Sequence, residues 1–277
     1  MADGLDGADR AAVERLAADI AAADSVVALT GAGVSAASGI PPFRGETPGT
    51  DGDDEEGTGD EDSPQPVWER FDPADFHRRR FAADPEGWWT DRCALRAAMY
   101  GDGVAPNPAH DAFATLESRG HLDTLLTQNV DGLHTAAGSE SVVELHGSRA
   151  RIVCDDCRAE LAAESVWGRV ESGDVPPRCD CGGVLRPDVV LFGEGLPDEP
   201  FDRAQVATRR ADVFLAAGSS LTVRPVSLLP RMAAEAGATL AVVNLEPTPV
   251  ADRADYAIRG DVTEVLPALV AELEKSQ

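Results

Sequence analysis

The sequence predicts an α/β fold, a doubly wound parallel sheet with a smaller inserted module. Three observations predict it. Val26–Thr30 (VVALT) reads as a buried strand that runs into the glycine loop Gly31-Ala32-Gly33-Val34-Ser35-Ala36-Ala37-Ser38-Gly39. Strand signals then alternate with helical ones along the chain, the pattern of a mostly parallel sheet. Four cysteines in close pairs set off the segment 151–186 as a small separate unit.

Taken in order, residues 9–23 carry Val13, Leu16 and Ile20 at helical spacing behind Asp9, a possible N-cap. Residues 46–66 break the pattern. Nine of these 21 residues are acidic and none is basic, a composition that cannot form a core and reads as a mobile surface loop. Residues 67–100 read as mainly helical, with Trp68, Phe71, Phe76, Phe81, Trp88 and Trp89 available for packing. A helix is expected over 110–120. Strands are expected at Leu122–Thr127, Val142–Leu145, Val189–Phe192, Val213–Ala217 and Leu240–Asn244, and a closing helix around Val262–Glu274.

The 277-residue chain is 43% apolar, and it carries 24 basic against 49 acidic residues, a net charge of −25. Its only lysine is Lys275. Such a balance fits a protein adapted to molar salt, where the Debye length falls to about 3 Å and self-repulsion is screened. A net negative surface argues against direct nucleic-acid binding. No apolar run approaches the ~20 residues of a membrane span. The start MADGLDGADR lacks a basic-then-apolar signal, so a cytoplasmic location is expected.

Chemistry concentrates at a few places. The glycine loop suits phosphate binding at a strand-to-helix turn, but its third glycine, Gly39, misses the G-x-G-x-x-G position. A dehydrogenase fingerprint is therefore not met, and a plain structural turn remains open. Cys154-x-x-Cys157 and Cys179-x-Cys181, 21 residues apart, suit one tetrahedral, coordinatively closed and hence structural Zn²⁺; two disulfides are the alternative. Cys93 stands apart and is expected to be buried. Gln128-Asn129-Val130-Asp131, His146, Gly218-Ser219-Ser220 and Asn244 each follow a predicted strand. Ligands of open α/β sheets bind at such carboxyl ends. Taken singly, each also reads as an ordinary turn or a structural histidine.

In combination these segments resemble the sirtuin family of NAD-dependent protein deacylases, from about residue 26 to 270. The matching stretches are GAGVSAASGIPPFRG (31–45), TQNVDGLH (127–134), ELHG (144–147), the four cysteines, LRPDVVLFGEGLP (185–197), GSSLTVRP (218–225) and VNLEPTP (243–249). The resemblance implies an NAD-binding Rossmann-like domain (1–45, 106–150 and 187–277), a helical insertion (46–105) and a zinc-ribbon insertion (151–186). It implies that Gly31, Ala32, Gly33, Ser35 and Ala36 face the pyrophosphate. Phe43 and Arg44 would cover the nicotinamide, and Gln128 would contact the ribose. Asn129, Val130 and Asp131 would line the nicotinamide pocket, with Asn129 and His146 catalytic. Gly218, Ser219, Ser220, Asn244, Leu245, Glu246, Asp261 and Val262 would hold the adenosine half. Val190, Phe192, Gly193 and Glu194 would pair with an acyl-lysine peptide by strand addition.

The implied reaction transfers the acyl group to ADP-ribose, with nicotinamide released and His146 as general base; protein ADP-ribosyl transfer is the rival. Pro42 stands where many members carry Asp, and Ala37 where one subgroup carries Glu. Trp89-Thr90-Asp91-Arg92 resembles the Tyr-x-x-Arg with which another subgroup holds succinyl or malonyl groups. Trp89 and Arg92 are therefore candidate acyl contacts, although deacetylation is favoured. Oligomeric state is not legible in the sequence.

The charge balance predicts that the melting temperature climbs as KCl is raised from low to molar concentration. A melting temperature independent of KCl would refute salt adaptation.

Overall fold

The structure, a computed structural model, describes residues 7–41, 71–101 and 103–275. Pro42, Phe43, Arg44, Trp68 and the acidic tract 46–66 lie outside the described residues.

The main sheet is built from β1 (Val26–Thr30), β2 (Thr124–Thr127), β3 (Val142–Glu144), β7 (Val213–Ala217), β8 (Thr239–Asn244) and β9 (Tyr256–Arg259). Its order is β3-β2-β1-β7-β8-β9, and every neighbouring pair is parallel. The chain winds outward in one direction from β1 to β3, then returns to the centre at β7 and winds outward the other way. The strand order thus reverses between β1 and β7, the place where a crevice opens at the carboxyl ends. Two aspartates fix the opposite edge. Asp123 accepts the Val26 N–H at 2.7 Å, and Asp212 accepts those of Asp24 and Ser25 at 3.0 and 2.9 Å.

Helices cover both faces, because alternate strand residues point opposite ways. Val26 and Ala28 pack with Leu16 and Phe113 beneath α1 (Gly7–Ala22), α4 (Pro108–Ser118) and α9 (Val262–Lys275). Val27 and Leu29 pack with Ala204, Leu229 and Ala233 beneath α7 (Asp198–Arg210) and α8 (Leu229–Ala236). All five residues of β1 and of β7 are buried. Asn107 and His110 close a capping box on α4, with Pro108 at its first turn.

The second sheet is antiparallel, in the order β5-β4-β6: β5 (Glu160–Ala162), β4 (Gly147–Cys154) and β6 (Leu185–Val189). It shares a core with α2 (Arg78–Ala83), α3 (Pro85–Met99) and α6 (Ala163–Glu171). Phe81, Trp88, Trp89 and Trp167 form a chain of edge-on contacts with centroids 5.1, 5.8 and 5.1 Å apart. Such pairs add about 0.5–1.5 kcal/mol each beyond burial.

The strand expected over Val189–Phe192 is displaced. β6 ends at Val189 and belongs to the small sheet, and the segment after it leaves the ladder. Its apolar run packs from a turn, for reasons given below. Trp89, a candidate acyl contact, is fully buried, and its indole N–H donates to the Leu185 carbonyl at 2.9 Å. Cys93 is half-buried rather than buried. Among the described residues, no helix is long and apolar enough to cross a membrane.

Candidate active site

At the reversal point the two glycine loops touch. The Gly33 N–H donates to the Gly218 carbonyl at 2.8 Å, and a Cβ on Gly33 would lie 2.8 Å from that same oxygen. Any larger residue would push the loops apart. Behind this contact Gln128 Nε2 donates to Ser219 Oγ at 2.8 Å, and Asn129 Nδ2 donates to the Gly31 carbonyl at 3.0 Å and to Ser35 Oγ at 3.1 Å. Gly31, Ala32, Gly33, Ser35, Ala36, Gln128, Asn129, Gly218 and Ser219 therefore meet at one crevice. Asn244 closes β8, and Leu245 after it is 61% exposed. Asp261 is committed locally. Its Oδ1 accepts the N–H and hydroxyl of Thr263 at 2.8 and 2.7 Å, which caps α9 ahead of Val262. The Asn244 side chain donates to the Glu246 carbonyl at 2.8 Å, which braces the turn after β8. Ser220 is exposed next to it and shares a 3.0 Å contact with the Thr222 hydroxyl.

A buried polar chain runs under the crevice. His110 Nδ1 accepts the Asn107 N–H, so its ring proton sits on Nε2 and faces Ser35 Oγ at 3.4 Å. Ser35 donates onward to Asp131 Oδ2 at 2.7 Å, while Asp131 Oδ1 accepts the Leu133 N–H at 2.9 Å. His134 Nε2 lies 2.9 Å from Thr30 Oγ1, and its buried Nδ1 has no partner. Burial, then the neighbouring His110, push the His134 pKa down to about 3. The sequence assigned no role to His110, and His134 entered only as the last residue of the stretch TQNVDGLH (127–134).

His146 follows β3. Its Nδ1 lies 2.9 Å from the Gln128 carbonyl, which can only accept, so Nδ1 carries the proton and Nε2 keeps a lone pair. Burial lowers the His146 pKa, opposed by this hydrogen bond. The His146 carbonyl accepts the Val190 N–H at 2.9 Å, which ties the histidine to the segment Val190–Glu194. Phe192, in that segment, is 45% exposed.

Arg92 lines a cleft of about 760 Å³ together with Arg96, Tyr100, Asp131, Arg149 and Trp167. Its buried Nε has no hydrogen-bond partner. Desolvation lowers the Arg92 pKa, with Arg149 adding like-charge repulsion. Arg149 stacks 3.8 Å over the Tyr100 ring and donates from Nε to the Asp131 carbonyl at 3.0 Å. No sequence signal marked Arg149, because its partners come from distant elements.

The four cysteines lie elsewhere, at the end of the small sheet. Their sulfurs all fall within 4.8 Å of one another, with Cys154–Cys181 at 3.5 Å and Cys157–Cys179 at 3.8 Å. Zn–S bonds of about 2.3 Å in a tetrahedron require sulfurs about 3.8 Å apart, whereas a disulfide requires about 2.05 Å. The amides of Cys157 and Asp156 favour the Cys154 thiolate. The donor set fits one structural zinc.

Comparison with known proteins gives this geometry its family. A profile of the Sir2 family matches residues 31–225. The chain belongs to the Sir2 family. It is 55% identical to the NAD-dependent protein deacetylase of Haloarcula marismortui, over 99% of this chain and 100% of that protein. The crystal structure of a Sir2 homolog–NAD complex superposes with a TM-score of 0.80 at 39% identity, covering 95% of this chain and 94% of that one. A Sir2–p53 peptide–NAD⁺ complex gives 0.77 at 34% identity, covering 93% and 97%.

The buried histidines set a pH prediction. A histidine held near pKa 3 stays neutral in the fold but takes a proton near 6.5 when unfolded. Stability is then complete above about 6.5 and drops as pH falls toward 3, by on the order of 1 kcal/mol per unit. Urea unfolding of wild type and His134→Gln in molar KCl, from pH 7.5 to pH 5, should show a shallower loss in the variant. Equal slopes would mean that His134 is not held neutral.

Proposed function

We propose that this Sir2-family chain is an NAD-dependent protein-lysine deacetylase that releases nicotinamide and O-acetyl-ADP-ribose. The observation that carries the reading is the orientation of His146. Its Nδ1–H is committed to the Gln128 carbonyl, so Nε2 is left as a base between the crevice and the segment Val190–Glu194. The name of the Haloarcula relative and the NAD and peptide of the solved complexes support the same substrates.

NAD⁺ supplies an anomeric carbon whose bond to nicotinamide can break. The protein's part is to hold and polarise the reactants. The Gly33, Val34, Ser35 and Gly218 amides are taken by backbone carbonyls, so the amides of Ala32, Ala36, Ser219 and Ser220 would present the donors to the phosphates. Asn129, oriented by Gly31 and Ser35, and Asp131, oriented by Ser35, line the nicotinamide side. His146 Nε2 takes the proton of a ribose hydroxyl so that its oxygen can attack the acyl carbon. Its lowered pKa keeps it neutral, and thus competent, below the usual histidine range. Leu245, Glu246, Asp261 and Val262 border the adenosine half, and Phe43 and Arg44 would cover the nicotinamide. Zinc braces the small sheet and takes no part in the chemistry.

A second reading, acidic acyl groups, is favoured by one observation. Arg92 and Arg149 lean on the same cleft, and the Arg92 Nε lacks a partner that a carboxylate would supply. Trp89 has no part in it, since the ring lies in the core.

Both readings meet in one assay, mass spectrometry in molar KCl with NAD and acetyl- or succinyl-lysine peptide. Loss of acyl mass with matching O-acyl-ADP-ribose is expected, falling by about 100-fold or more in His146→Ala. NAD consumption with mass added to protein would instead indicate ADP-ribosyl transfer. Under the second reading, Arg92→Ala lowers the succinyl-to-acetyl ratio of kcat/KM; an unchanged ratio removes it.

A further inference from the structure

Beneath the peptide-facing segment lies a four-membered ion-pair network that joins it to the metal knuckle. Asp155 occupies the first position between Cys154 and Cys157. Its two carboxylate oxygens accept from Arg78 Nη2 at 2.6 Å and from Arg186 Nε at 3.1 Å. Arg186, only 6% exposed, also donates from Nη1 to the Val189 carbonyl at 3.0 Å and from Nη2 to Glu194 Oε1 at 3.1 Å. Arg78 Nε reaches the same Glu194 oxygen at 3.4 Å. The other Glu194 oxygen accepts the Leu191 N–H at 2.9 Å.

Two arginines, one aspartate and one glutamate thus balance in charge around the buried Arg186, the other three being partly exposed. Removing one member of such a set strands the others. The segment is held from the other side as well. The Arg78 N–H donates to the Phe192 carbonyl at 2.9 Å, and the His77 ring fills the space where a Gly193 side chain would sit. The shape of Val190–Glu194 is therefore set by a glutamate whose position is fixed, through Arg186, by the Asp155 carboxylate of the metal knuckle.

We propose that Asp155 and Arg186 are positioning residues for the peptide substrate, transmitting the order of the zinc knuckle to Val190–Glu194. The inference rests on the reading of that segment as the peptide edge. Neither residue touches a reacting atom. The carboxylate at 155 orients Arg186, Arg186 orients Glu194, and Glu194 holds the Leu191 amide and the turn that leaves Phe192 exposed. Peptide affinity, rather than the chemical step or NAD binding, is what the network controls.

The test uses the zinc-loaded full chain and Asp155→Asn, which keeps every cysteine and the side-chain shape. Zinc per chain, melting temperature, calorimetric Kd for an acetyl-lysine peptide, KM for each substrate, kcat and hydrogen exchange at Leu191 are measured. Zinc content is expected to hold, while peptide Kd and KM rise about 10-fold, a usual effect of losing a ligand-supporting group. Leu191 exchange should quicken, with kcat and the KM for NAD changed by less than about twofold. In a double-mutant cycle on peptide Kd, Asp155→Asn and Glu194→Gln should be non-additive.

Wild-type peptide affinity and Leu191 exchange in Asp155→Asn would overturn the proposal. So would additive effects, or a joint loss of NAD and peptide affinity with a lowered melting temperature. A wild-type chain that binds the peptide without turning it over would count against the deacetylase reading alone, because Kd and exchange do not require turnover.

Discussion

The contact between Gly33 and Gly218 is the constraint on which the crevice depends. It closes the loop after β1 onto the loop after β7 with a single 2.8 Å hydrogen bond and no room for a Cβ. Because β1 and β7 are buried along their whole length, the two loops cannot retreat from each other. The order of the sheet then brings the carboxyl end of β2 alongside, and with it Gln128, Asn129 and Asp131. A larger residue at either glycine would move three sets of polar groups at once. The polar groups gathered there, Ser35, Gln128, Asn129, Asp131 and Ser219, are buried or half-buried and hold one another by side-chain hydrogen bonds.

Under this surface two histidines are buried, and one of them, His110, helps to orient the Asp131 carboxylate through Ser35. The chain His110–Ser35–Asp131 uses one acceptor and one donor at each link, so no proton is missing or surplus. Fully satisfied buried networks of this kind rigidify their surroundings, and partly satisfied ones cost stability. The unpartnered Nδ1 of His134 is the one loose end, held among Thr30, His110 and Phe113. His146 differs in having its unprotonated nitrogen directed away from its single hydrogen bond.

The small sheet contributes differently. Its core is aromatic, and a set of partly buried charges is arranged around the buried Arg186. The chain has 24 basic residues against 49 acidic ones, and two of its arginines, Arg78 and Arg186, meet here. Isolated surface pairs contribute little, but a partly buried network in which each arginine bridges two carboxylates is less sensitive to salt. The helical insertion, the metal knuckle and the segment after β6 are thereby held as one unit.

Much of this could be read from residues alone. The strands at Val26–Thr30 and Val213–Ala217 were legible because a short, wholly apolar run before a glycine has few other places to go. The four cysteines were legible because two close pairs demand a shared ligand. The polar strand ends were legible as a set, since each recurred after a buried strand. Other features were hidden. Val189–Phe192 looks like a strand by composition, yet Glu194 folds back to hold the Leu191 amide and bonds Arg186 of β6 and Arg78 of a distant helix. Trp89 and Arg92 share a pattern on paper, but helix packing turns one into the core and the other toward a cleft. What the sequence by itself determined was local: which runs are buried, where turns fall, which donors sit at strand ends. The tertiary structure decided what meets what, as where Ser25 meets Asp212 across 187 residues of chain. The physical reason is that periodicity and burial act within a few residues, whereas the pairing of strands, loops and charges is settled only when the whole core closes.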